Sequence, residues 1–329
     1  MRAVVIAQPG GPEVLEIRDL PTPVPSAHQV LVRVHAAGLN RADLLQRRGR
    51  YPAPPGDPAD IPGLEFAGEV TALGSAVRDW HGGERVFGLV GGGAQAEYLV
   101  AHERTLMAIP DILSWEQAAA VPEAFITAHD ALVTQAGLLP SERVLIHSAG
   151  SGVGLAAIQL VRAAGALPYG TSRTSWKIDR AREYGLEDGL TLGTDLTPLQ
   201  ERAAAWSGGA GMHIVIELVG GPYMPASLTT LGPRGRMVVV GTVAGTTAPL
   251  DLGLLLRHRL HVFGTALRTR PIEQKIAATQ AFAAQVVPWL ERALVRPVVD
   301  SVFPLPDVAA AHQRLETNET FGKVVLTVD

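Results

Sequence analysis

Residues 143–165 read RVLIHSAGSGVGLAAIQLVRAAG, an apolar strand pattern that passes through a turn of small residues into an apolar helix. Ala149, Gly150, Ser151, Gly152, Val153 and Gly154 form that turn. Small residues let the backbone approach a pyrophosphate, and the helix that follows offers it unpaired N–H groups and a partial positive charge. The turn departs from a strict GxGxxG, because Ala149 and Ser151 stand in the first two glycine places. Glycines here also serve close helix–strand packing, so the surrounding sequence has to decide.

The surroundings favour a dinucleotide site. Strand patterns at Val144–His147, Leu167–Gly170, His213–Val219, Arg236–Val240 and Leu260–Gly264 alternate with helical ones at Val153–Ala164, Ser175–Tyr184, Leu196–Trp206 and Tyr223–Leu231. The strands are continuous apolar runs, as expected when helices cover both faces of a sheet. The expectation is an α/β fold, with a Rossmann doubly wound parallel sheet over residues 124–265.

Residues 1–123 have a different rhythm. Short β-branched runs (Ala3–Ile6, Val30–His35, Glu65–Ala72, Arg85–Phe87, Gln95–Val100) are separated by Gly and Pro clusters, the pattern of an irregular β barrel or sandwich. Ser114 and Gln117 have capping-box spacing before an Ala-rich helix. Pro122 is expected to interrupt that run, with a second helix over Ala124–Gln135. Helical patterns at Ile272–Leu294 and Asp307–Thr317 precede a final strand, FGKVVLTV. A last strand of this kind rejoins an existing sheet, so residues 266–329 are expected to return to the β-rich domain and make it discontinuous.

Composition narrows the chemistry. The chain has no cysteine, which removes disulfides, thiolate nucleophiles, iron–sulfur clusters and every Cys-containing zinc site. Ten histidines show no ligand spacing such as HExxH and are expected to be structural. A net charge of −4 without a basic stripe speaks against nucleic acid as a partner. No apolar stretch approaches the ~18 residues of a membrane span, and the N-terminal apolar run is too short for a signal peptide. The expected location is the cytoplasm. Only three basic residues are lysines (Lys177, Lys275, Lys323), so a lysine in a functional context stands out.

The second strand of the nucleotide domain selects the cofactor. An NAD site carries Asp or Glu about 20 residues beyond the glycine turn, bonded to the ribose 2′-hydroxyl. Here that strand ends in Gly170-Thr171-Ser172-Arg173-Thr174, with no acid. Arg173, the hydroxyls of Ser172 and Thr174, and Lys177 one helical turn on form a cluster suited to a 2′-phosphate through charge-assisted bonds. NADPH is therefore expected over NADH; a solvated basic helix start is the alternative. Later strand ends should line the same crevice. They place Gly220, Gly241, Thr242, Phe263, Gly264 and Thr265 in the expected cofactor set, although each is also an ordinary tight turn.

Several motifs now point one way. They are Asn40-Arg41-Ala42-Asp43 continuing through Gln46–Pro52, Pro62–Gly68, Ala119–Ala124 with Thr127-Ala128, the AGSGVG turn, and the ending Phe321–Leu326. Together they resemble the zinc-independent medium-chain dehydrogenase/reductases, in the quinone oxidoreductase (zeta-crystallin-like) branch, over essentially the whole chain. The resemblance implies a GroES-like β-rich catalytic domain beside the Rossmann domain, and usually a homodimer. In the zinc alcohol dehydrogenases of this superfamily, a Cys ligand matches Asn40 and a His ligand matches Leu64; the four-Cys lobe would fall near Gly91–Gly93. Cys and His are missing at all of these places, so no metal is expected.

Without a metal, donors must stabilise the charge that hydride transfer places on a carbonyl oxygen. The resemblance puts the Asn40 amide and the Tyr51 phenol beside the nicotinamide, as catalytic candidates; a turn-capping Asn and a packing Tyr are the alternatives. It also brings Thr127 to nicotinamide or its ribose and Lys323 into the cofactor set. Asp43 and Arg48 are expected to support the loop as a local ion pair. The leading expectation is an NADPH:quinone reductase, with a 2-enoyl or enone reductase as the alternative. A non-catalytic, crystallin-like NADPH-binding protein is a third reading.

Overall fold

In the computed structural model, which describes residues 1–328, seven strands precede the glycine-rich turn: β1 (Arg2–Ile6), β2 (Leu15–Asp19), β3 (Gln29–Gly38), β4 (Glu65–Leu73), β5 (Arg85–Leu89), β6 (Tyr98–His102) and β7 (Leu106–Ala108). β3 alternates strictly along its first half: Val30, Val32, Val34 and Ala36 are buried while Arg33 is exposed. Period-two burial is what a strand with one covered face requires. β3 pairs antiparallel with β4 and, at its start, with β6; β4 continues antiparallel to β5, and β5 to β7. β1 and β2 form a separate hairpin.

Six strands follow: β8 (Arg143–Ile146), β9 (Leu167–Ser172), β10 (Asp188–Thr191), β11 (Met212–Glu217), β12 (Leu231–Val239) and β13 (His261–Gly264). They lie parallel in the order β10-β9-β8-β11-β12-β13. That is the doubly wound order in which the chain reverses direction across the sheet between its first and fourth strands. Val144, Leu145, Ile146, Ile214, Val215 and Ile216 are all fully buried, so neither face of the central strands meets water. Helices at Gly152–Ala163, Ser175–Arg182, Pro198–Ser207 and Tyr223–Thr230 alternate with the strands.

The last two strands are β14 (Val299–Pro304) and β15 (Lys323–Thr327). β15 pairs antiparallel with β3 and parallel with β14, in the first sheet. Val324 and Leu326 enter the same apolar cluster as Val30, Val32, Phe66 and Val86. Two compact units result, Met1–Ile126 with Leu267–Asp329 and Thr127–Ala266. Their edges lie three residues and one residue from the expected 123/124 and 265/266 boundaries.

The Ala-rich helix Trp115–Ala119 stops before Pro122, as expected, and the second helical segment starts at Pro122 itself, because a first turn tolerates a residue without an N–H. The segment is also wider than an α-helix, with π turns over Pro122–Ile126 and Asp130–Gln135 around the α-helical Thr127–His129. Three short strands, β2, β10 and β14, do not read as apolar runs, since β2 exposes four of its five residues and β10 and β14 have no buried one.

The turn between β8 and its helix is sterically closed. A Cβ on Gly154 would stand 2.4 Å from the Ser148 carbonyl oxygen. Gly154→Ala should therefore lower the unfolding free energy by about 1–3 kcal/mol, the range for an overpacked site, as read from urea melts.

Candidate functional site

In the unit Thr127–Ala266, the glycine-rich turn is held at three points. Ser148 takes a left-handed φ of 51°. The Ala149 N–H donates to the Thr171 carbonyl at 2.9 Å, which ties the turn to β9. Ser151 caps the twelve-residue helix by accepting from the Gly154 N–H at 3.1 Å. The N–H groups of Gly152 and Val153 open the helix and have no intrahelical acceptor, so they suit an anion. A Cβ on Gly150 would come 2.8 Å from Lys177 Cδ, so the Lys177 side chain lies across the turn.

Beside Lys177, the end of β9 carries no acid. Ser172 is buried and its Oγ accepts the Thr174 N–H at 3.3 Å. Arg173 is exposed, with no hydrogen-bond or ion-pair partner among the described residues. Asp179, the nearest acid along the helix, is paired with Arg182 at 2.6 Å. The residues here fit a dinucleotide with an added phosphate on its ribose.

The later strand ends are knitted to one another. Gly221 N–H donates to the Gly245 carbonyl at 3.0 Å, and Ala244 N–H to Val219 at 2.8 Å. Gly220 has a φ of 73°, and a Cβ on Gly241 would stand 2.6 Å from the Leu218 carbonyl. Close backbone packing thus accounts for Gly220 and Gly241, and Thr242 lies in the same paired loops. Phe263 is half-buried and Gly264 exposed at the end of β13. The Thr265 hydroxyl donates to the buried Asp130 at 2.7 Å, which commits its proton inside the protein. Thr127 is half-buried, with no hydrogen-bond partner for its hydroxyl among the described residues.

A polar network that sequence reading missed lies under these loops. Thr171, His147, Ser227 and Glu217 are all buried, at the ends of β9, β8 and β11 and on the helix Tyr223–Thr230. Burial lowers the His147 pKa, so the ring is neutral. Ser227 Oγ donates to Glu217 Oε2 at 2.7 Å, so it accepts from His147 Nε2 at 2.8 Å. His147 Nδ1 is then the acceptor for the Thr171 hydroxyl at 2.7 Å. Glu217 Oε1 takes the N–H groups of Val219 and Gly220, at 2.8 and 3.0 Å. The available signal was a polar residue closing each apolar strand run.

In the other unit, Asn40 and Tyr51 sit in a cluster of buried charge. Glu65 is fully buried at the start of β4. Its Oε1 accepts from Asn40 Nδ2 at 2.8 Å and lies 2.5 Å from Lys323 Nζ; its Oε2 accepts the Glu123 N–H at 2.8 Å. Gly38 makes room for it, since a Cβ there would stand 2.3 Å from Glu65 Oε1. Lys323 donates further to the Leu39 carbonyl at 2.7 Å and to Asn40 Oδ1 at 2.6 Å. Lys323, expected in the cofactor set, thus has its three protons taken within the protein, where it fixes Asn40. Asn40 keeps one amide proton uncommitted.

Asp43 and Arg48 do not pair either. Asp43 accepts the N–H groups of Asn40 and Gly63, at 2.7 and 2.9 Å, while Arg48 bonds Glu316 at 2.6 Å. Burial raises the Asp43 pKa to about 6. Tyr51 is half-buried and stacks on Arg268, whose guanidinium lies 4.9 Å from the ring centroid. Arg268 is anchored by Gly91 O, Gln46 Oε1 and Tyr51 O, at 2.8, 2.6 and 3.1 Å. The Tyr51 hydroxyl has no hydrogen-bond partner among the described residues. Its pKa is raised, first by burial and then by the nearby Glu123 carboxyl. Burial, then the charge of Glu65, raises the Glu123 pKa to about 7.

A zinc ion does not fit these residues. Asn40 is held by an acid and an ammonium, Leu64 is apolar and buried, and Glu65 is paired. Among the described residues there is no group of three His, Cys, Asp or Glu placed to hold a metal. No helix among them is long and apolar enough to cross a membrane.

Comparison with known proteins agrees with this architecture. Residues 26–111 match the family described as the alcohol dehydrogenase GroES-like domain, and residues 152–284 the one described as zinc-binding dehydrogenase. A quinone oxidoreductase of Pseudomonas aeruginosa is 35% identical over 330 residues, covering 99% of each chain. Among solved structures, Escherichia coli quinone oxidoreductase complexed with NADPH matches with a TM-score of 0.85 at 28% identity, over 99% of this chain and all of that one. The CurK enoyl reductase matches with a TM-score of 0.88 at 25% identity, over all of this chain and 99% of that one. The two units, one GroES-like and one Rossmann, define an oxidoreductase of the medium-chain dehydrogenase/reductase class. Within that class the chain belongs to the quinone oxidoreductase family.

Removing one partner of a buried ion pair strands the other. Lys323→Met should destabilise the protein by about 3–5 kcal/mol, measured by urea unfolding, because Glu65 then loses its paired ammonium. Arg48→Met, whose partner Glu316 also holds Arg47, should change stability by less than about 1 kcal/mol.

Proposed function

We propose that this protein is an NADPH-dependent quinone oxidoreductase that transfers hydride to its acceptor without a metal. The observation that carries the cofactor half is the placement of Lys177 across the turn at Gly150, with the unpaired Arg173 beside it and no competing acid. A ribose 2′-phosphate gains charge-assisted bonds there that a 2′-hydroxyl does not. The acceptor half is supported by the full-length likeness to the P. aeruginosa quinone oxidoreductase. When bound, NADPH supplies the hydride. The chain's own contribution is a pair of preorganised donors, the remaining Asn40 amide proton and the Tyr51 hydroxyl, for the negative charge that develops on the acceptor oxygen. Glu65 and Lys323 hold Asn40, and Arg268 holds Tyr51.

The likeness to the CurK enoyl reductase supports a second reading, reduction of a carbon–carbon double bond conjugated to a carbonyl. The same donors serve both, because charge arrives on a carbonyl oxygen in each. NADPH oxidation with benzoquinone, phenanthrenequinone, a simple enone and crotonyl-CoA distinguishes them by kcat/KM. A homodimer through the outer edge of β13 belongs to the same proposal. β13 ends its sheet, and Leu252 and Leu256, on the helix Leu252–His258, stand 63% and 73% exposed. A monomer by light scattering removes it.

Arg173→Glu should raise KM for NADPH much more than for NADH; an equal effect on both sinks the phosphate assignment. Tyr51→Phe should lower kcat/KM about 10-fold, the loss of one hydrogen bond to developing charge. An unchanged value makes Tyr51 a packing residue.

A further inference from the structure

Two-electron reduction of a quinone or an enone needs a proton as well as a hydride; the Asn40 amide does not release one, and burial makes the Tyr51 phenol a weaker acid than usual. Glu123 differs from the acids around it. Asp43 accepts two backbone N–H groups, and Glu65 accepts from Asn40, Lys323 and the Glu123 N–H. The Glu123 carboxyl has no hydrogen-bond or ion-pair partner among the described residues. It is the second residue of the wide-turned helix Pro122–Ile126 and keeps some accessible surface, although protein surrounds it. That surface faces a narrow cavity lined chiefly by Leu64, Leu89, Val90, Ile126 and Arg268. Arg268 forms a wall of this cavity and also stacks on Tyr51. The carboxyl therefore stands on the same support as the phenol proposed to hold the reacting oxygen.

Building on the proposed reductase activity, we propose that Glu123 is the proton donor of the reaction. Hydride from NADPH leaves an oxyanion on the acceptor and NADP⁺ as the oxidised product. The Glu123 O–H bond breaks and a bond from that proton to the substrate anion forms, giving the hydroquinone or saturated carbonyl. Glu123 is left as carboxylate and regains its proton from water. Burial does most to favour the protonated form, Glu65 and Asp43 add to it, and Lys323 and Arg268 oppose it. Tyr51 lies within electrostatic range, and Lys275 lines the same cavity. A carboxyl poised near neutrality is an effective general acid at physiological pH.

The test compares wild type with Glu123→Gln and Glu123→Asp, using NADPH and benzoquinone from pH 5 to 9. The wild-type rate should fall as pH rises through about 7. Glu123→Gln should lower kcat about 100-fold and abolish that limb, and Glu123→Asp should restore part of both. A second readout needs no turnover. An acid whose folded pKa is raised loses stability as pH climbs from its unfolded value through the folded one. The melting temperature of Glu123→Gln minus that of wild type should therefore rise between about pH 4.5 and 7. An active wild type with an unchanged Glu123→Gln rate and pH profile overturns the inference alone, as does a pH-independent melting difference. A wild type inactive on every acceptor overturns the reductase reading, and the inference with it.

Discussion

A carboxylate with no access to water must find its charge or hydrogen-bond partners inside the protein, and Glu65 organises one of the two units by that requirement. It stands at the start of β4, and its cation comes from Lys323, almost at the other end of the chain. Isolated burial of either ion would cost several kcal/mol, so each is tolerable only with the other in place. The pairing needs β15 beside β3 and a glycine at position 38 to leave room. Once formed, it holds Asn40 from both ends of its amide and seats the backbone of Glu123. The apolar interior of the first sheet surrounds this pair, which ties β15 and β4 together through Lys323 and Glu65.

The Rossmann unit solves a similar problem with neutral groups. Glu217 is again fully buried, but its partners are two backbone N–H groups and a hydroxyl rather than a cation. The chain of hydrogen bonds runs on through Ser227 and a neutral His147 to Thr171, so three strand ends share one ordered set of protons. Such a network is rigid because any broken link leaves a buried group unsatisfied. Its effect is to position the turns on which a dinucleotide would rest, without presenting a charged group to it.

Much of this was legible in the residues. The parallel sheet announced itself through uninterrupted apolar strands and the small-residue turn, because burial on both faces and a helix packed close leave few other compositions. The capping box at Ser114 and Gln117 appears as read, with Ser114 Oγ accepting the Gln117 N–H at 3.2 Å. Strands without an apolar face, such as β10 and β14, left no such trace. The local pattern around Lys323 carries no sign of its partner, because Glu65 lies 258 positions away and only the fold brings it against the ammonium. Asp43 and Arg48 were misassigned because proximity in sequence suggested an ion pair, whereas each finds a better partner among residues distant in sequence.

By itself the sequence determined the kind of sheet, the place of the glycine-rich turn, the missing acid at the end of β9, and the absence of any cysteine. Those are properties of local pattern and side-chain chemistry, which neighbouring residues express without reference to the rest of the chain. Only the tertiary structure decided which polar groups are already occupied and which remain open. It took up all three protons of Lys323, left the hydroxyl of Tyr51 and the carboxyl of Glu123 without hydrogen-bond partners among the described residues, and laid Lys177 across Gly150. Hydrogen-bond capacity is used up by contacts between residues hundreds of positions apart, so it can be counted only once the chain has folded.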